Sequence, residues 1–553
     1  MAARSPRDVV TPAVPRPAAG VVAAGNPATA GVGAEILRRG GNAADAAVAA
    51  ACAAMTAEAS LTGLGAGGFA LVRSPDGHVE VLDFFVTAAG RGRAPADRER
   101  RAHLDHYDVP FKGTTQAFYV GPSSCATPGI VPGLAALHAR YGRLPLPEVL
   151  APAIALARSG SPLVEAQDYL HDILEGILTG TSGMRQIFAP RGRLLRAGEV
   201  IVVPGLADAL DAFAAGGAEP FTHGAYAAAV ADYMQENGGL VSEADLVEYG
   251  VVSRRPAVID YRGARVFTNP LPSSGGTLIA FTLALLARFP LRGRSHSQRA
   301  LLLADALAAT DRARREGLDR LREEPQFGER FLSAEYIDPY ARLTHQQAHG
   351  NTTHVSVIDA EGLTVAMTSS CGSGSGVVIE GTGIIMNNMM GEEDLNPGGF
   401  FALPPGERLT SMMAPTIAWA TGPAVALPRG GPVPDAGLAG DSERLIAVGS
   451  AGSERLRSAI VQVLVNMLDL DMRAQAAVDA PRLHLDRGTV HLEAGTPVTV
   501  AAHLEAHGEL VHVWPAMDLY FGGAQVACRR RQRGNTDYEG AGDPRRGGAA
   551  LIV

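Results

Sequence analysis

The chain has 553 residues and a formal net charge of −9 at pH 7. Hydrophobic residues make up 46% of it and charged residues 19%, proportions typical of a folded globular protein. Because no sustained basic stripe offsets the acidic balance, nucleic acid is excluded as an expected partner. No apolar run reaches the roughly 18 residues that a membrane span needs, and no secretory core opens the chain. We therefore expect a cytoplasmic protein without a membrane partner.

Neither a metal site nor a disulfide framework is predicted, and no cofactor is expected. The four cysteines lie far apart and none belongs to a CxxC pair, a pattern that suits a reducing compartment. They are Cys52, Cys125, Cys371 and Cys528. A basic run at 529–533 is interpreted as a solvated surface loop rather than a phosphate site.

The N-terminal part of the chain is predicted to form a flexible arm, two helices and a hairpin. The arm covers residues 1–18, which are polar and rich in proline. Asn26 and Asn42 are suitable N-caps for two successive helices, the second rich in alanine. Strands at 69–73 and 79–85 flank a turn and complete the hairpin.

The rest of the chain divides into a helical middle and a strand-rich C-terminal part. Apolar spacing predicts mainly helices over residues 128–345. From residue 352 onwards strands dominate, with one Pro/Gly-rich surface insertion and one amphipathic helix. The strands are 354–359, 363–368, 377–379 and 383–387, the insertion is 421–442 and the helix is 456–470. So many strands need helices to cover them, which favours two sheets between helical layers.

The most informative segment surrounds the start of the first of these strands. Thr352 opens the strand, and Asn351 precedes it in a small polar pair suited to cleavage. If the chain is cut between these two residues, Thr352 gains a free α-amine beside its hydroxyl, so one residue holds both a base and a nucleophile. A threonine pair alone is common at strand starts, and the interpretation depends on the residues around it.

Three further segments supply what an N-terminal threonine needs. Residues 368–370 end the partner strand and place hydroxyls beside Thr352, and residues 410–416 form a polar loop entering a strand. Residues 449–453 are a small-residue turn before a helix that starts near Glu454, where N–H groups accept an anion. Together they fit one mechanism: a hydroxyl attacks a carbonyl, the amine or a bridging water takes the proton, and N–H groups stabilise the oxyanion.

Motifs for competing chemistries are missing from the sequence. It contains no Gly-x-Ser-x-Gly elbow, no Walker loop and no His-Glu-x-x-His pair. The glycines at 63–68 do not follow a strand and open a helix, so a dinucleotide role is not expected. His354 is interpreted as structural, because the spacing implies no partner acid.

In order and spacing, these segments resemble the γ-glutamyltransferase (γ-glutamyltranspeptidase) family of N-terminal nucleophile hydrolases. The similarity runs from about Gly20 to the Gly542-Asp543-Pro544-Arg545 tail, and such collinear agreement is specific to the family. The matching stretches are 36–47, Gly67-Gly68-Phe69, Pro128-Gly129, 272–276, Thr352-Thr353-His354, Asn387-Asn388 and Ser411-Met412.

The resemblance implies a four-layer αββα sandwich of the N-terminal nucleophile hydrolase type and self-cleavage between Asn351 and Thr352. The products would be a large subunit, 19–351 behind its arm, and a small subunit, 352–553. Both come from one precursor and stay together in one intertwined fold. Thr352 would be the nucleophile for self-cleavage and for turnover of a small-molecule substrate.

The resemblance also implies roles for five other residues. Ser370 matches a threonine that hydrogen-bonds the nucleophile region. Gly452 and Ser453 match the paired oxyanion glycines, and a serine still offers its backbone N–H. Thr410 and Ser411 match two hydroxyls that hold the substrate's α-carboxylate.

Departures from the family pattern cluster where the glutamyl group would bind. Phe85 stands where the family has an arginine that pairs with the α-carboxylate, so an apolar wall replaces a charge. Cys371, or Gly372 if the gap is placed otherwise, replaces an asparagine, and Met389 replaces a glutamine. Only Glu392, near the family's amine-binding aspartate, keeps its charge.

These departures leave several hypotheses for the substrate. The favoured one is a biosynthetic hydrolase that cleaves a carbon–carbon bond in forming 4-alkyl-proline antibiotic precursors, as some family homologues do, or that acts on another non-glutamyl compound. The alternative is a γ-glutamyl hydrolase or transferase acting on glutathione or γ-glutamyl amides. A second alternative is a non-catalytic binding protein on the same fold, against which the intact Thr352 speaks.

Overall fold

The computed structural model describes residues 20–111, 114–323, 327–342, 352–421, 442–452, 455–486 and 488–553. The predicted arm at 1–18 and all but the two end residues of the predicted insertion at 421–442 lie outside the described residues.

Strands occur along the whole described chain. They are β1 (Gly20–Ala24), β2 (Gly67–Arg73), β3 (Val79–Phe84), β4 (Asp105–Phe111), β5 (Thr114–Val120), β6 (Ser161–Pro162), β7 (Val200–Ile201), β8 (Val252–Arg254), β9 (Ala257–Tyr261), β10 (Ala264–Thr268), β11 (Thr353–Asp359), β12 (Thr364–Ser370), β13 (Val378–Ile379), β14 (Ile384–Ile385), β15 (Thr416–Thr421), β16 (Ser442–Ala451), β17 (Leu483–Asp486), β18 (Thr489–Leu492), β19 (Leu510–Val513), β20 (Gly523–Gln532), β21 (Asn535–Ala541) and β22 (Ala549–Ile552).

Helices lie mainly before residue 352. They are α1 (Pro27–Arg38), α2 (Ala43–Ala57), α3 (Pro95–Arg101), α4 (Ile130–Tyr141), α5 (Leu146–Ser159), α6 (Glu165–Ile173), α7 (Glu175–Leu178), α8 (Ser182–Phe188), α9 (Leu206–Gly216), α10 (Glu219–Thr222), α11 (Ala225–Glu236), α12 (Glu243–Val247), α13 (Ser274–Leu286), α14 (His296–Glu323), α15 (Phe327–Phe331), α16 (Ala334–Ile337), α17 (Arg455–Leu468), α18 (Ala474–Asp479) and α19 (Val498–Ala506).

Two large sheets form the centre of the molecule. The first has the strand order β22-β1-β11-β12-β2-β3-β8, and the second has the order β21-β20-β16-β15-β10-β9. They lie face to face, with β11 packed against β16 and β20. Helices α1, α2 and α4 cover the first sheet, and α13, α17 and α18 cover the second. The layers therefore run helix, sheet, sheet, helix, which confirms the predicted αββα sandwich.

The predicted helix starts are seen in the first outer layer. The side chain of Asn26 accepts a hydrogen bond from the N–H of Ala28, with Pro27 in the first turn of α1. Asn42 and Asp45 form a capping box at the start of α2. Every residue of α2 is buried, because its alanine-rich surface packs between the first sheet and neighbouring helices.

The hairpin that contains the predicted nucleophile lies in the middle of the first sheet. Strands β11 and β12 pair antiparallel, as the sequence predicts, with Thr353 opposite Ser369 and Ile358 opposite Thr364. Every residue of both strands is buried, since helices cover one face of the sheet and the second sheet covers the other. Thr352 immediately precedes β11 at the edge of this packed interior.

Two local predictions are wrong. The basic run at 529–533 is not a surface loop: most of it belongs to β20, and Arg529 is buried in an ion pair with Glu443, N to O 2.7 Å. Residues 449–451 are the end of β16 rather than part of a turn. In both places, pairing with a neighbouring strand overrides local composition.

Candidate active site

Thr352 lies beside Ser370 at one end of the first sheet. The pairing of Thr353 with Ser369, continued by one residue, places Thr352 opposite Ser370. Thr352 is 3% exposed and Ser370 is 1% exposed. The Ser370 hydroxyl accepts a hydrogen bond from the N–H of Gly372 over 2.7 Å, which fixes its oxygen near the strand end. The predicted nucleophile and its predicted hydroxyl neighbour are therefore adjacent, whereas Asn351 lies outside the described residues.

The predicted oxyanion turn joins the second sheet to its covering helix. Gly452 follows β16 directly and has φ +114°, a conformation that favours glycine. Its carbonyl accepts a hydrogen bond from the N–H of Arg455, the first residue of α17. Ala451, one residue earlier, lines the same cavity as Thr352, which places the turn near the predicted nucleophile. Ser453 lies outside the described residues.

A small cavity flanks Thr352 on the side of β1. Most of its lining is uncharged, and the two charged side chains among the lining residues are Glu58 and Arg546. The lining residues are Gly25, Asn26, Glu58, Leu61, Ala166, Gln167, Leu170, Thr352, Thr353, His354, Ala451, Leu519, Gln525 and Arg546. Sequence reasoning missed both charged residues, because each lies far from Thr352 along the chain.

Glu58 follows α2 and holds two hydroxyls with its carboxylate. One oxygen accepts from Thr29 over 2.8 Å, and the other accepts from Thr353 over 2.5 Å. Burial raises the pKa of Glu58 above its usual range, while these two hydrogen bonds and the charge of Arg546 act in the opposite direction. Glu58 therefore ties the first residue of β11 to the end of the buried helix.

His354 serves the packing of the strand. Its ring nitrogens lie 2.7 Å from the Thr368 hydroxyl and 2.9 Å from the Ser356 hydroxyl, so both are occupied. Burial lowers the pKa of His354 to about 3, which keeps the ring neutral near pH 7. With no free nitrogen and no charge, the ring is unsuited to act as a general base.

Phe85 lies in the core at the end of β3. Its side chain is 0% exposed and stacks on Phe69 with the ring centroids 5.3 Å apart. Its backbone carbonyl accepts hydrogen bonds from the Tyr249 hydroxyl and from Arg408. The Arg408 guanidinium also lies 3.4 Å from the carboxylate of Asp83, so this nearby arginine is held by the protein itself.

Gly372, the alternative to Cys371 as the position of the family's asparagine, is closely packed by its neighbours. A side-chain carbon on Gly372 would lie 2.2 Å from the amide oxygen of Asn388 and 2.5 Å from a carboxylate oxygen of Glu392, and its φ is +69°. The position is therefore closed to an asparagine side chain. Cys371 is 2% exposed and Met389 is 1% exposed, so both contribute apolar volume.

Glu392 is the charged member of this group. Its carboxylate accepts a hydrogen bond from the N–H of Ser373 over 3.1 Å. Burial raises the pKa of Glu392 to about 7, and the hydrogen bonds from Ser373 only partly offset this effect. Near pH 7 the side chain is therefore poised between its neutral and charged forms.

The hydroxyls of Thr410 and Ser411 hydrogen-bond to backbone groups of the protein. The Thr410 hydroxyl donates to the carbonyl of Pro272 over 2.7 Å, and the Ser411 hydroxyl accepts from the N–H of Met413 over 3.0 Å. The carbonyl of Ser411 accepts from Ser273 and from the N–H of Gly275, which anchors the loop to the start of α13. Pro272 and Met413 therefore order the two hydroxyls.

Two negative findings apply to the part of the chain that the structure describes. Within it, no group of three or more His, Cys, Asp or Glu side chains is arranged to hold a metal ion. Among the same residues, no helix has the length and apolarity that crossing a membrane requires.

One family model and two known proteins match this chain over most of its length. The model of the family described as Gamma-glutamyltranspeptidase matches residues 29–432 and 436–553. The Glutathione hydrolase proenzyme of Escherichia coli is 30% identical over 90% of this chain and 87% of its own length. The Acylase ACY 1 proenzyme of Pseudomonas sp. (strain SE83) is 32% identical over 89% of this chain and 87% of its own length.

The fold also matches a solved structure over its full length. The crystal structure of cephalosporin acylase from Bacillus halodurans has a TM-score of 0.77 and 27% sequence identity, and the match covers 100% of this chain and 99% of that one. The likeness therefore covers the whole chain and is not confined to the segment around Thr352.

Proposed function

Because the chain belongs to the gamma-glutamyltranspeptidase family, we propose that it is an autoprocessed N-terminal-threonine hydrolase whose substrate is not a γ-glutamyl compound. It is an enzyme, an N-terminal nucleophile hydrolase or transferase, and not a binding protein that only keeps the fold. Relatives named as proenzymes support processing of one precursor into two subunits. The proposed products are 1–351 and 352–553.

Phe85 is the observation on which the choice of substrate depends. A phenylalanine that is 0% exposed and stacked on Phe69 offers no charge to an α-carboxylate. The tight contacts around Gly372 and the buried Met389 add to the loss of polar partners in this region. Relatives named as acylases support cleavage of an acyl group as the reaction.

The proposed reaction uses Thr352 twice. In the precursor its hydroxyl attacks the carbonyl of Asn351 and the peptide C–N bond breaks, which frees the α-amine and leaves Asn351 bound to the hydroxyl as an ester. Water then hydrolyses this ester, which releases the carboxylate of Asn351 and restores the Thr352 hydroxyl. In turnover the hydroxyl oxygen bonds to the substrate carbonyl carbon, the amine or a bridging water takes the hydroxyl proton, and the leaving group receives a proton as its bond breaks. Water then hydrolyses the acyl-enzyme. Gly452 and Ser453 are proposed to supply N–H groups to the oxyanion.

The finer proposal concerns the bond that is cleaved. With an apolar pocket, the same attack on a ketone carbonyl would break a carbon–carbon bond and expel a stabilised carbanion or enamine, which is then protonated. Such a step fits a biosynthetic role in forming 4-alkyl-proline antibiotic precursors. Cleavage of an apolar acyl amide uses the same residues and differs only in the leaving atom.

A γ-glutamyl hydrolase or transferase is the second candidate. Glu392 favours it, because its carboxylate is placed by Ser373 and can pair with a substrate amine. The 30% identity to the Escherichia coli glutathione hydrolase proenzyme supports it as well.

Three model substrates separate these candidates. Purified processed protein is incubated with γ-glutamyl p-nitroanilide, with hexanoyl p-nitroanilide and with a 1,3-diketone followed by NMR, and Thr352→Ala is the matched control. We expect Thr352-dependent cleavage of the apolar amide or of the diketone and little release from the γ-glutamyl amide. Efficient release from the γ-glutamyl amide alone would contradict the proposed substrate class.

A further inference from the structure

Arg546 is a buried cation with unused hydrogen-bond donors. It ends the short segment Pro544–Arg546 and is 8% exposed. Its Nε and Nη2 are buried and donate to no partner among the described residues. The neighbouring Arg545, by contrast, donates to Glu493 over 2.7 Å and to Asp543 over 3.1 Å. Buried donors without partners are costly, and those of Arg546 belong to a residue that lines the cavity beside Thr352, where an acceptor can enter.

The guanidinium of Arg546 is aimed at the predicted oxyanion turn. A side-chain carbon on Gly452 would lie 3.1 Å from Nη2 of Arg546, and one on Gly523 would lie 2.6 Å from its Cδ. The two glycines therefore allow the stem and the head of the arginine to lie close against the backbone. Arg546 and Thr352 line the same cavity, and so does Ala451, the last residue of β16 before the turn.

The size of this cavity limits its occupant. Its volume is ≈ 20 Å³. A single water needs about 10–15 Å³, so the space is large enough for one oxygen atom or one water. An oxyanion formed at a carbonyl bound to Thr352 is an occupant of this size.

The charges around Arg546 leave it available for an anion. Glu58 shares the cavity, but its two oxygens already accept the hydroxyls of Thr29 and Thr353. Asp543 accepts from Arg482 and Arg545. Burial and the charge of Arg455 lower the pKa of Arg546 to about 10, with smaller opposing effects from Asp543, Glu58 and Asp518, so the guanidinium stays protonated near pH 7.

We propose that Arg546 is a catalytic residue that donates its free N–H groups to the oxyanion formed when Thr352 attacks the substrate. As the oxygen of Thr352 bonds to the carbonyl carbon, the carbonyl π electrons move to oxygen, which Arg546 then holds together with the turn at Gly452. Collapse of this adduct restores the carbonyl and expels the leaving group, which is protonated. The inference rests on the proposed function, since it needs Thr352 as the nucleophile.

The test uses phenylboronic acid, which forms a tetrahedral anionic adduct with a nucleophilic hydroxyl and needs no knowledge of the natural substrate. Its dissociation constant is measured on processed wild type, Arg546→Met, Arg546→Lys and the exposed control Arg531→Met. We expect Arg546→Met to weaken binding about 100-fold or more, the loss typical of one oxyanion donor. The dissociation constant of Arg546→Lys should lie between those of Arg546→Met and wild type, and that of the control should equal the wild-type value.

The outcomes distinguish a failure of this inference from a failure of the proposed function. Equal binding by wild type and Arg546→Met would overturn the role of Arg546 while leaving Thr352 as nucleophile. Absence of a boronate adduct in wild type, or an equal adduct in Thr352→Ala, would overturn the proposed function and this inference with it.

A second measurement has a readout that a purely structural role of Arg546 would not produce. On a substrate that wild type cleaves, Arg546→Ala should lose kcat with little change in KM, and added guanidinium ion should restore part of the rate. A rise in KM with kcat unchanged would show that Arg546 binds a ground-state anion instead and would overturn the proposal. Failure of guanidinium to restore any activity in a folded, processed variant would also count against it.

Discussion

The hydroxyl of Thr353 donates a 2.5 Å hydrogen bond to the carboxylate of Glu58. This contact joins the residue after the proposed nucleophile to the residue after α2. Both partners are buried, Glu58 at 4% exposure and Thr353 at 2%. The bond therefore restrains the start of β11, where a small displacement would change the attack geometry of Thr352.

Removing this contact should affect both stability and self-cleavage. Thr353→Val keeps the shape of the side chain but leaves a carboxylate oxygen of Glu58 without a donor, at a cost of about 1–3 kcal/mol. We expect slower processing on a time course of denaturing gels. Thr282→Val is the control, since it removes a buried hydroxyl bond to Leu278 in α13, far from Thr352 along the chain. Equal processing rates in both variants would contradict a positioning role for the contact.

The titration of Glu392 should make stability depend on pH. Burial raises the pKa of Glu392 in the folded protein to about 7, above the 4.5 that is ordinary for a glutamate, so the folded state binds the proton more tightly. Its contribution is therefore complete below about pH 4.5 and is lost as the pH rises through 7. Between pH 5 and pH 8, wild type should lose about 2 kcal/mol of unfolding free energy relative to Glu392→Gln, from denaturant titrations. A difference independent of pH would contradict the prediction.

All four cysteines should be unreactive in the folded protein. Cys52, Cys125, Cys371 and Cys528 are buried, and burial raises the pKa of each thiol above its ordinary value. Little thiolate is therefore present or accessible at pH 8. A thiol reagent such as 5,5′-dithiobis(2-nitrobenzoic acid) should label less than one thiol before unfolding and all four in guanidinium chloride. Rapid labelling of the native protein would show that at least one of these thiols is open to solvent and would contradict the prediction.

Restoring an arginine at position 85 should not restore glutamyl recognition. Phe85→Arg would place a charge in a core site stacked on Phe69, and we expect it to cost about 3–5 kcal/mol of stability. Phe85→Leu, which keeps the site apolar, should cost less. The assay compares melting temperature and γ-glutamyl p-nitroanilide hydrolysis. A stable Phe85→Arg protein with increased γ-glutamyl activity would contradict this account of the pocket.

Local sequence patterns predicted much of the fold. The N-caps at Asn26 and Asn42 and the hairpin of β11 and β12 depend on residues that are neighbours along the chain, and these predictions are confirmed. Pairing over long distances was harder to predict. The basic run ending at Arg533 looks like a loop by composition, yet β20 pairs with β16 over ten positions and buries Arg529.

The candidate site likewise contains residues that local sequence predicted and residues that it did not. Thr352 and Ser370 lie at the open end of one hairpin, so the pairing of its two strands, which the sequence predicts, brings them together. Glu58 and Arg546 reach the same cavity from the end of α2 and from the C-terminal tail. Neither belongs to a short motif, and only the packing of β1, β11 and β22 in one sheet brings these segments close.

The identity of the new N-terminus tests the central claim most directly. Mass spectrometry and N-terminal sequencing of purified wild type should give two polypeptides, the smaller one beginning at Thr352. Thr352→Ala should give one full-length chain that melts at the same temperature as the wild-type precursor before processing. A wild-type protein that remains a single chain while cleaving substrate, or a cut at another residue, would contradict the assignment of Thr352 as the nucleophile.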